Sequence, residues 1–179
     1  MRRYFLTLAY RGTAYHGWQC QPHSASVQQT LEETMSLILR EEIAVVGCGR
    51  TDAGVHASRY VAHFDAGAAL PQNLLGRLNR LLPADIAVSE IRDVGPVPPP
   101  GEHGLHARFS ATERAYRYDV IRDKDPFRTD LAWHHPAFAQ LDVAKLNAAA
   151  AVLLDYTEFA PFCKTHSDAR TMRCDVRRS

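Results

Sequence analysis

Between two strand-like segments of the sequence lies the stretch Gly47-Cys48-Gly49-Arg50-Thr51-Asp52-Ala53-Gly54-Val55-His56-Ala57. A short run rich in β-branched residues, 43–46, enters it, and an alternating run, 60–65, follows it. The stretch is therefore predicted to be a loop that joins two strands. Its three glycines let the backbone turn sharply and approach a ligand closely. The loop would present one cation, Arg50, and one carboxylate, Asp52, between the two strands.

Strands and helices are predicted to alternate on both sides of this loop. The predicted elements are a strand at 3–11 with Tyr4, Leu6, Leu8 and Tyr10 on one face, a helix at 26–40 with Ser26 and Gln29 as a capping box, a helix that opens at Pro71, and a strand at 86–94. The order β-α-β-β-α-β is that of the ferredoxin-like motif, in which two helices cover one face of a four-stranded antiparallel sheet.

The second part of the chain gives a similar but shorter pattern. The segment 96–104, rich in proline and glycine, is predicted to be a stiff linker or lid. Beyond it we expect a strand at 113–122 with Tyr116 and Tyr118 on one face, a helix capped by Asp142, and the start of a strand at 170–178. The predicted class is α+β, with two ferredoxin-like halves of antiparallel sheet, 1–95 and 105–179, the second incomplete.

Composition excludes several classes of function. The chain has 179 residues, 46% of them hydrophobic, and 21 Lys+Arg against 20 Asp+Glu, so any nucleic-acid surface must be a local patch. No apolar run approaches the roughly 20 residues that cross a bilayer. Neither a signal peptide nor a pair of cysteines at CxxC spacing is present, which predicts a cytoplasmic protein without disulfides.

The glycine-rich loop matches no common ligand motif. It is not a P-loop, and one carboxylate cannot hold calcium. A lone carboxylate beside a cation suits a nucleophile, although an ordinary turn would also use Asp and Gly. His56 is interpreted as a structural hydrogen-bonding group. The remaining histidines lack partners at metal spacing, so we predict no metal site and surface or core roles for His103, His106, His134 and His135.

The block 49–57 resembles the signature of the tRNA pseudouridine synthase A family. Further blocks resemble that family in the same order along nearly the whole chain, at 15–19, 26–28, 82–86, 106–112 with 114–118, and 156–164. The resemblance implies an enzyme that isomerises uridine to pseudouridine in the anticodon stem-loop of tRNA, around tRNA positions 38 to 40. Such an isomerisation needs no cofactor, no metal and no energy input.

The resemblance also assigns roles to particular residues. Asp52 corresponds to the nucleophile or base that starts glycosidic cleavage, Arg50 to the arginine that helps extrude the target base, and Tyr116 to the tyrosine that stacks on the uracil. The expected partners are tRNA and a second copy of the chain in a homodimer. Candidate phosphate contacts are the basic residues near both ends, Arg2, Arg3, Arg11, Lys164, Arg170, Arg173, Arg177 and Arg178.

Members of that family continue beyond the position matching Ser179. The resemblance thus implies that a strand, a helix and the basic residue expected to pair with Asp52 lie outside this sequence. One alternative is a non-catalytic RNA-binding module or an inactive fragment, in which Tyr116 and Tyr118 stack on bases. Another is a hydrolase that uses Asp52, but the sequence supplies no second carboxylate or metal site for it.

Overall fold

The alternation in the first strand determines which face of the sheet is buried. In β1 (Arg2–Tyr10), the side chains of Tyr4, Leu6, Leu8 and Tyr10 are buried together. Successive side chains of a strand point to opposite faces, so these four share one face. That face forms the core with the two helices that follow in the chain.

In the computed structural model of the protein, the described residues are 1–99, 102, 104–163 and 171–179. They form two compact units, Met1–Ala115 and Tyr116–Ser179. The fold is α+β, with helices and a four-stranded antiparallel sheet.

The first unit has the predicted element order. After β1 come α1 (Val27–Leu39), β2 (Val45–Gly47), β3 (Ala57–Ala66), α2 (Leu74–Leu81) and β4 (Ile86–Pro96). The four strands pair in the order β2-β3-β1-β4, and all neighbours are antiparallel. The β-α-β-β-α-β prediction for this part of the chain is therefore confirmed.

The two helices of the first unit begin in different ways. The Ser26 hydroxyl caps α1 by accepting a hydrogen bond from the Gln29 amide, as predicted, but the Gln29 side chain donates to Glu33 and does not complete the capping box. The prediction that Pro71 opens the second helix is wrong. The Pro71 carbonyl instead accepts from the Leu74 amide, so Pro71 starts a turn that precedes α2.

The predicted linker 96–104 lies partly outside the described residues, at 100, 101 and 103, and the chain on either side of it is bound to the first unit. β4 extends into the predicted linker as far as Pro96. Past it, the Leu105 carbonyl accepts from Arg3, and the Ala107 amide donates to Nδ1 of His63. The first unit accordingly extends to Ala115, while the predicted halves 1–95 and 105–179 stay a prediction.

In the second unit only the helix follows the prediction. Asp142 caps α3 (Val143–Ala151) as expected. The strand predicted at 113–122 is wrong for most of its length: only β5 (Val120–Ile121) forms, paired in parallel with β6 (Trp133–His134). A strand needs a partner of matching length, and β6 offers two residues.

The predicted tail strand is also absent from the described residues 171–178, which contain one isolated bridge, Glu158 with Arg173. The described part of the second unit thus contains no antiparallel sheet, and a second ferredoxin-like half is not confirmed. Among the described residues, every helix is too short or too polar to span a membrane.

Candidate functional site: the Asp52 loop

The glycine-rich stretch forms the connection between the antiparallel neighbours β2 and β3, as predicted. Asp52 and Arg50 are both exposed on it. The Val55 amide donates to the Asp52 carbonyl at 3.3 Å, and Gly54 has a φ of 78°. This tight turn presents the Asp52 carboxylate to solvent at the end of the sheet.

Residues 12–18 hold the loop by backbone hydrogen bonds on both sides of Asp52. Before it, the Trp18 amide donates to the Thr51 carbonyl at 3.1 Å. After it, the Gly54 amide donates to the Tyr15 carbonyl at 3.2 Å, and Nδ1 of His56 accepts from the Gly12 amide at 2.9 Å. The prediction that His56 is a structural hydrogen-bonding group is confirmed. The backbone around Asp52 is therefore fixed by its neighbours.

Gly17 is required for this close approach. Its φ is 94°, and a Cβ at this position would overlap the Thr51 carbonyl oxygen. Next to it, the Tyr15 hydroxyl donates to Asp85 at 2.9 Å, and burial together with this hydrogen bond raises the pKa of Tyr15 to about 12. The early turn motif of the sequence thus acts as a support for the Asp52 loop.

A layer of three aromatic rings lies directly beneath the loop. The rings of Trp18 and Tyr60 are 4.2 Å apart between centroids, and Tyr10 packs against both. The Tyr10 hydroxyl lies 2.9 Å from Oγ1 of Thr51, and the Tyr60 hydroxyl donates to the Gly49 carbonyl. Burial raises the pKa of both tyrosines, so they remain neutral hydrogen-bonding groups.

Sequence reasoning did not find this support. It placed Tyr10 on the buried face of the first strand, but it gave neither Tyr10 nor Tyr60 a role at the loop. One signal was available in the sequence. Tyr10 ends one strand and Tyr60 lies near the start of the neighbouring strand, and a buried tyrosine hydroxyl needs a hydrogen-bond partner.

The two charged residues predicted to act at the loop, Arg50 and Asp52, do not pair with each other. Among the described residues, no ion pair connects Arg50 with Asp52. A cation that contacts the start of the loop is Arg114, whose Nη2 donates to the Cys48 carbonyl at 2.6 Å. Arg114 was not singled out from the sequence.

Tyr116 belongs to the second unit. It is 76% exposed and lies outside any strand, so the predicted sheet face shared with Tyr118 is not present. Its hydroxyl and ring are accessible to solvent, as are those of Tyr118.

Several of the basic residues predicted to contact phosphate bind carboxylates. Arg3 makes two hydrogen bonds of 2.8 Å to Asp65, which hold the pKa of that carboxyl below its ordinary value. Arg2 pairs with Asp93, and Arg173 with Glu158. Lys164 and Arg170 lie outside the described residues, as does His103. In the described part of the chain, no three His, Cys, Asp or Glu side chains are grouped to hold a metal ion.

The chain is similar to several curated proteins along almost its whole length. It is 45% identical over 177 residues to the tRNA pseudouridine synthase A of Bacteroides thetaiotaomicron, which covers 98% of this chain and 62% of that protein. It is 38% identical over 185 residues to the tRNA pseudouridine synthase A of Thiobacillus denitrificans, covering 100% of this chain and 66% of that protein. No protein-family model matches the chain.

The relatives are longer than this chain, which spans about two thirds of their length. The tRNA pseudouridine synthase A of Parabacteroides distasonis is 44% identical over 178 residues, and the match covers 98% of this chain and 67% of that protein. Further relatives of the same name are also 44% identical over 98% of this chain. The chain belongs to the tRNA pseudouridine synthase A family.

Proposed function

We propose that the protein isomerises uridine to pseudouridine in tRNA. The similarity to relatives named tRNA pseudouridine synthase A supports the reaction and the substrate class. The observation that carries the proposal on the structural side is the exposed carboxylate of Asp52, held on a loop whose backbone is hydrogen-bonded on both sides. A fixed loop favours catalysis because the reacting group is already in position when substrate arrives.

The reaction balances without an oxidant or an energy source. Asp52 acts as nucleophile or base when the bond between N1 of uracil and C1′ of ribose breaks. The base then rotates and C5 bonds to C1′, C5 releases its proton to solvent, and N1 takes up a proton. No cofactor is proposed, because substrate and product are isomers.

The proposed target is a uridine of the anticodon stem-loop, around tRNA positions 38 to 40. A stacked and paired base hides its glycosidic bond, so the enzyme must extrude it. Arg50, exposed two residues before Asp52, is proposed to help this extrusion, and Tyr116 to stack on the uracil. The exposure of both side chains supports these roles, since each is accessible to RNA.

The test is release of tritium from tRNA carrying [5-³H]uridine. We expect the wild-type chain to release tritium and Asp52→Asn to lose on the order of 10⁴-fold in rate, because the amide cannot act as nucleophile or base. Asp155→Asn is the matched control: it changes an exposed aspartate of the second unit and should leave the rate unchanged. Release by Asp52→Asn at the wild-type rate would exclude Asp52 as the nucleophile.

A second candidate function is tRNA binding without catalysis. The high exposure of Tyr116 and Tyr118 favours it, because free aromatic rings stack on bases regardless of sequence. It predicts binding that weakens with added salt, together with no tritium release from wild type. Binding that does not change with salt would count against it.

A homodimer in the cytoplasm is proposed from the family resemblance. Sedimentation equilibrium of the chain with and without tRNA tests this association directly. A monomer at concentrations well above those used for activity would contradict it.

A further inference from the structure

Two successive backbone carbonyls at the start of the Asp52 loop accept hydrogen bonds from two different side chains. The Gly49 carbonyl accepts from the hydroxyl of Tyr60, which belongs to the aromatic layer. The Cys48 carbonyl accepts from Nη2 of Arg114 at 2.6 Å, and the Cys48 amide donates to the Val61 carbonyl at 2.8 Å. The strand β2 ends at Gly47, so Arg114 contacts the chain at the first residue after the strand, where the loop begins.

The guanidinium of Arg114 also packs on the neighbouring glycine. A Cβ at position 49 would lie 3.3 Å from Nε of Arg114, and the three nearest heavy atoms outside residues 48–50 all belong to that guanidinium. Gly49 therefore allows the flat guanidinium to lie against the loop backbone. The hydrogen bond is charge-assisted, which makes it shorter and stronger than a bond between neutral groups.

We propose that Arg114 is a positioning residue for Asp52: it fixes the Cys48 peptide from which the loop departs, four residues before Asp52. Arg114 is also two residues before Tyr116 in the sequence. Within the first unit, this side chain ties the chain at residue 114 to the loop that carries the proposed nucleophile. This inference rests on the proposed function, because it assigns Arg114 to the same site.

The competing role for Arg114 is a simple phosphate contact, since it is an exposed cation. The two roles predict different kinetics. Loss of a phosphate contact weakens tRNA binding and lowers its salt dependence, but leaves the rate at saturating tRNA unchanged. Loss of a positioning contact lowers the rate at saturating tRNA and leaves the affinity nearly unchanged.

The first measurement is hydrogen–deuterium exchange on the whole chain, which does not require turnover. In Arg114→Ala we expect faster exchange in peptides covering 48–52 and unchanged exchange in β1, whose amides report on global folding. Arg117→Ala is the matched control, because it removes a neighbouring cation whose ion pair is with Asp119. Equal exchange at 48–52 in the two variants overturns the proposal.

The second measurement is a double-mutant cycle in single-turnover pseudouridine formation at saturating tRNA. Arg114→Ala should lower the rate about 10- to 100-fold with the dissociation constant within twofold, and Arg114→Lys should recover part of it. Gly49→Ala should lower the wild-type rate but cost little in the Arg114→Ala background, because the group it displaces is gone.

The outcomes separate the inference from the proposed function. Additive effects of Gly49→Ala and Arg114→Ala, or a loss confined to tRNA affinity, overturn the positioning role. Absence of turnover in the wild-type chain contradicts the proposed function instead. In that case the exchange measurement still decides whether Arg114 holds the loop.

Discussion

The two units of the molecule contain similar patterns of apolar residues, but they differ greatly in how many of those side chains are buried. Helix α1 of the first unit buries Val27, Leu31, Met35 and Ile38 against the sheet. Helix α3 of the second unit has the same apolar periodicity, yet none of its residues is buried. Among the described residues, every buried side chain lies in the first unit. Helical periodicity produces a core only where a sheet of matching length lies beneath it.

The same difference applies to two of the residues that the sequence singled out, one in each unit. Asp52 lies on a loop anchored to the buried aromatic layer of the first unit. Tyr116 lies in a segment with exposed side chains and no strand partner. Segments with few buried contacts open at low free-energy cost, so we expect the loop to be much more rigid than the tyrosine segment.

The largest expected difference concerns core truncations. Leu6 is 0% exposed in the central strand β1, so Leu6→Ala should lower the free energy of unfolding by about 2–5 kcal/mol through lost burial and a cavity. Leu146, 41% exposed on α3, is the matched leucine, and Leu146→Ala should stay within about 0.5 kcal/mol. Urea unfolding followed by circular dichroism measures both. Equal losses in the two variants would mean that the second unit contributes a core of its own.

The next prediction concerns pH and the buried His63. This residue is 3% exposed on β3, and its Nδ1 accepts from the Ala107 amide at 3.2 Å. Burial is the largest cause that lowers its pKa from 6.5 to about 4; the charges of Arg3 and His106 act in the same direction, and Asp65 opposes them. The unfolded chain then binds the proton more tightly than the folded chain. Stability is fully present above about pH 6.5 and is lost as the pH falls toward 4, by up to about 3 kcal/mol.

Urea unfolding at several pH values between 4 and 7 tests this dependence. His63→Gln keeps a hydrogen-bond acceptor but cannot titrate, so it should flatten the fall in stability over this range. His134→Gln, at an exposed histidine of the second unit, should leave the wild-type slope unchanged. An unchanged slope in His63→Gln would show that other groups cause the acid sensitivity.

The fold of the first unit could be predicted because its signals are local. The alternation of Tyr4, Leu6, Leu8 and Tyr10 and the cap at Ser26 depend on near neighbours in the sequence, and both occur in the structure. The segment 113–122 has the same alternation but is mostly not a strand. Alternation identifies the face that a strand would bury, whereas a strand also requires a partner, which periodicity does not specify.

Some features of the candidate site could likewise be predicted from the sequence, and others could not. The loop between β2 and β3 and the hydrogen-bonding role of His56 were predictable from residue types and spacing. The contact of Arg114 with the Cys48 carbonyl joins residues 66 apart in sequence, and one arginine among many gives no signal for it. The burial of His63 also depends on residues more than forty positions away. Such contacts follow from the tertiary structure and not from any local pattern.

The smallest expected effect compares the two helix caps. The Ser26 hydroxyl is buried and accepts from the Gln29 amide, so Ser26→Ala leaves that amide without a partner and should cost about 1 kcal/mol of unfolding free energy. Asp142 caps α3 equally well, accepting from the amides of Ala144 and Lys145. Because α3 buries nothing, Asp142→Ala should fray that helix without moving the urea midpoint of the main transition. If the two substitutions shifted the midpoint equally, the units would unfold as one cooperative structure, and the contrast between a rigid loop and a loose tyrosine segment would not hold.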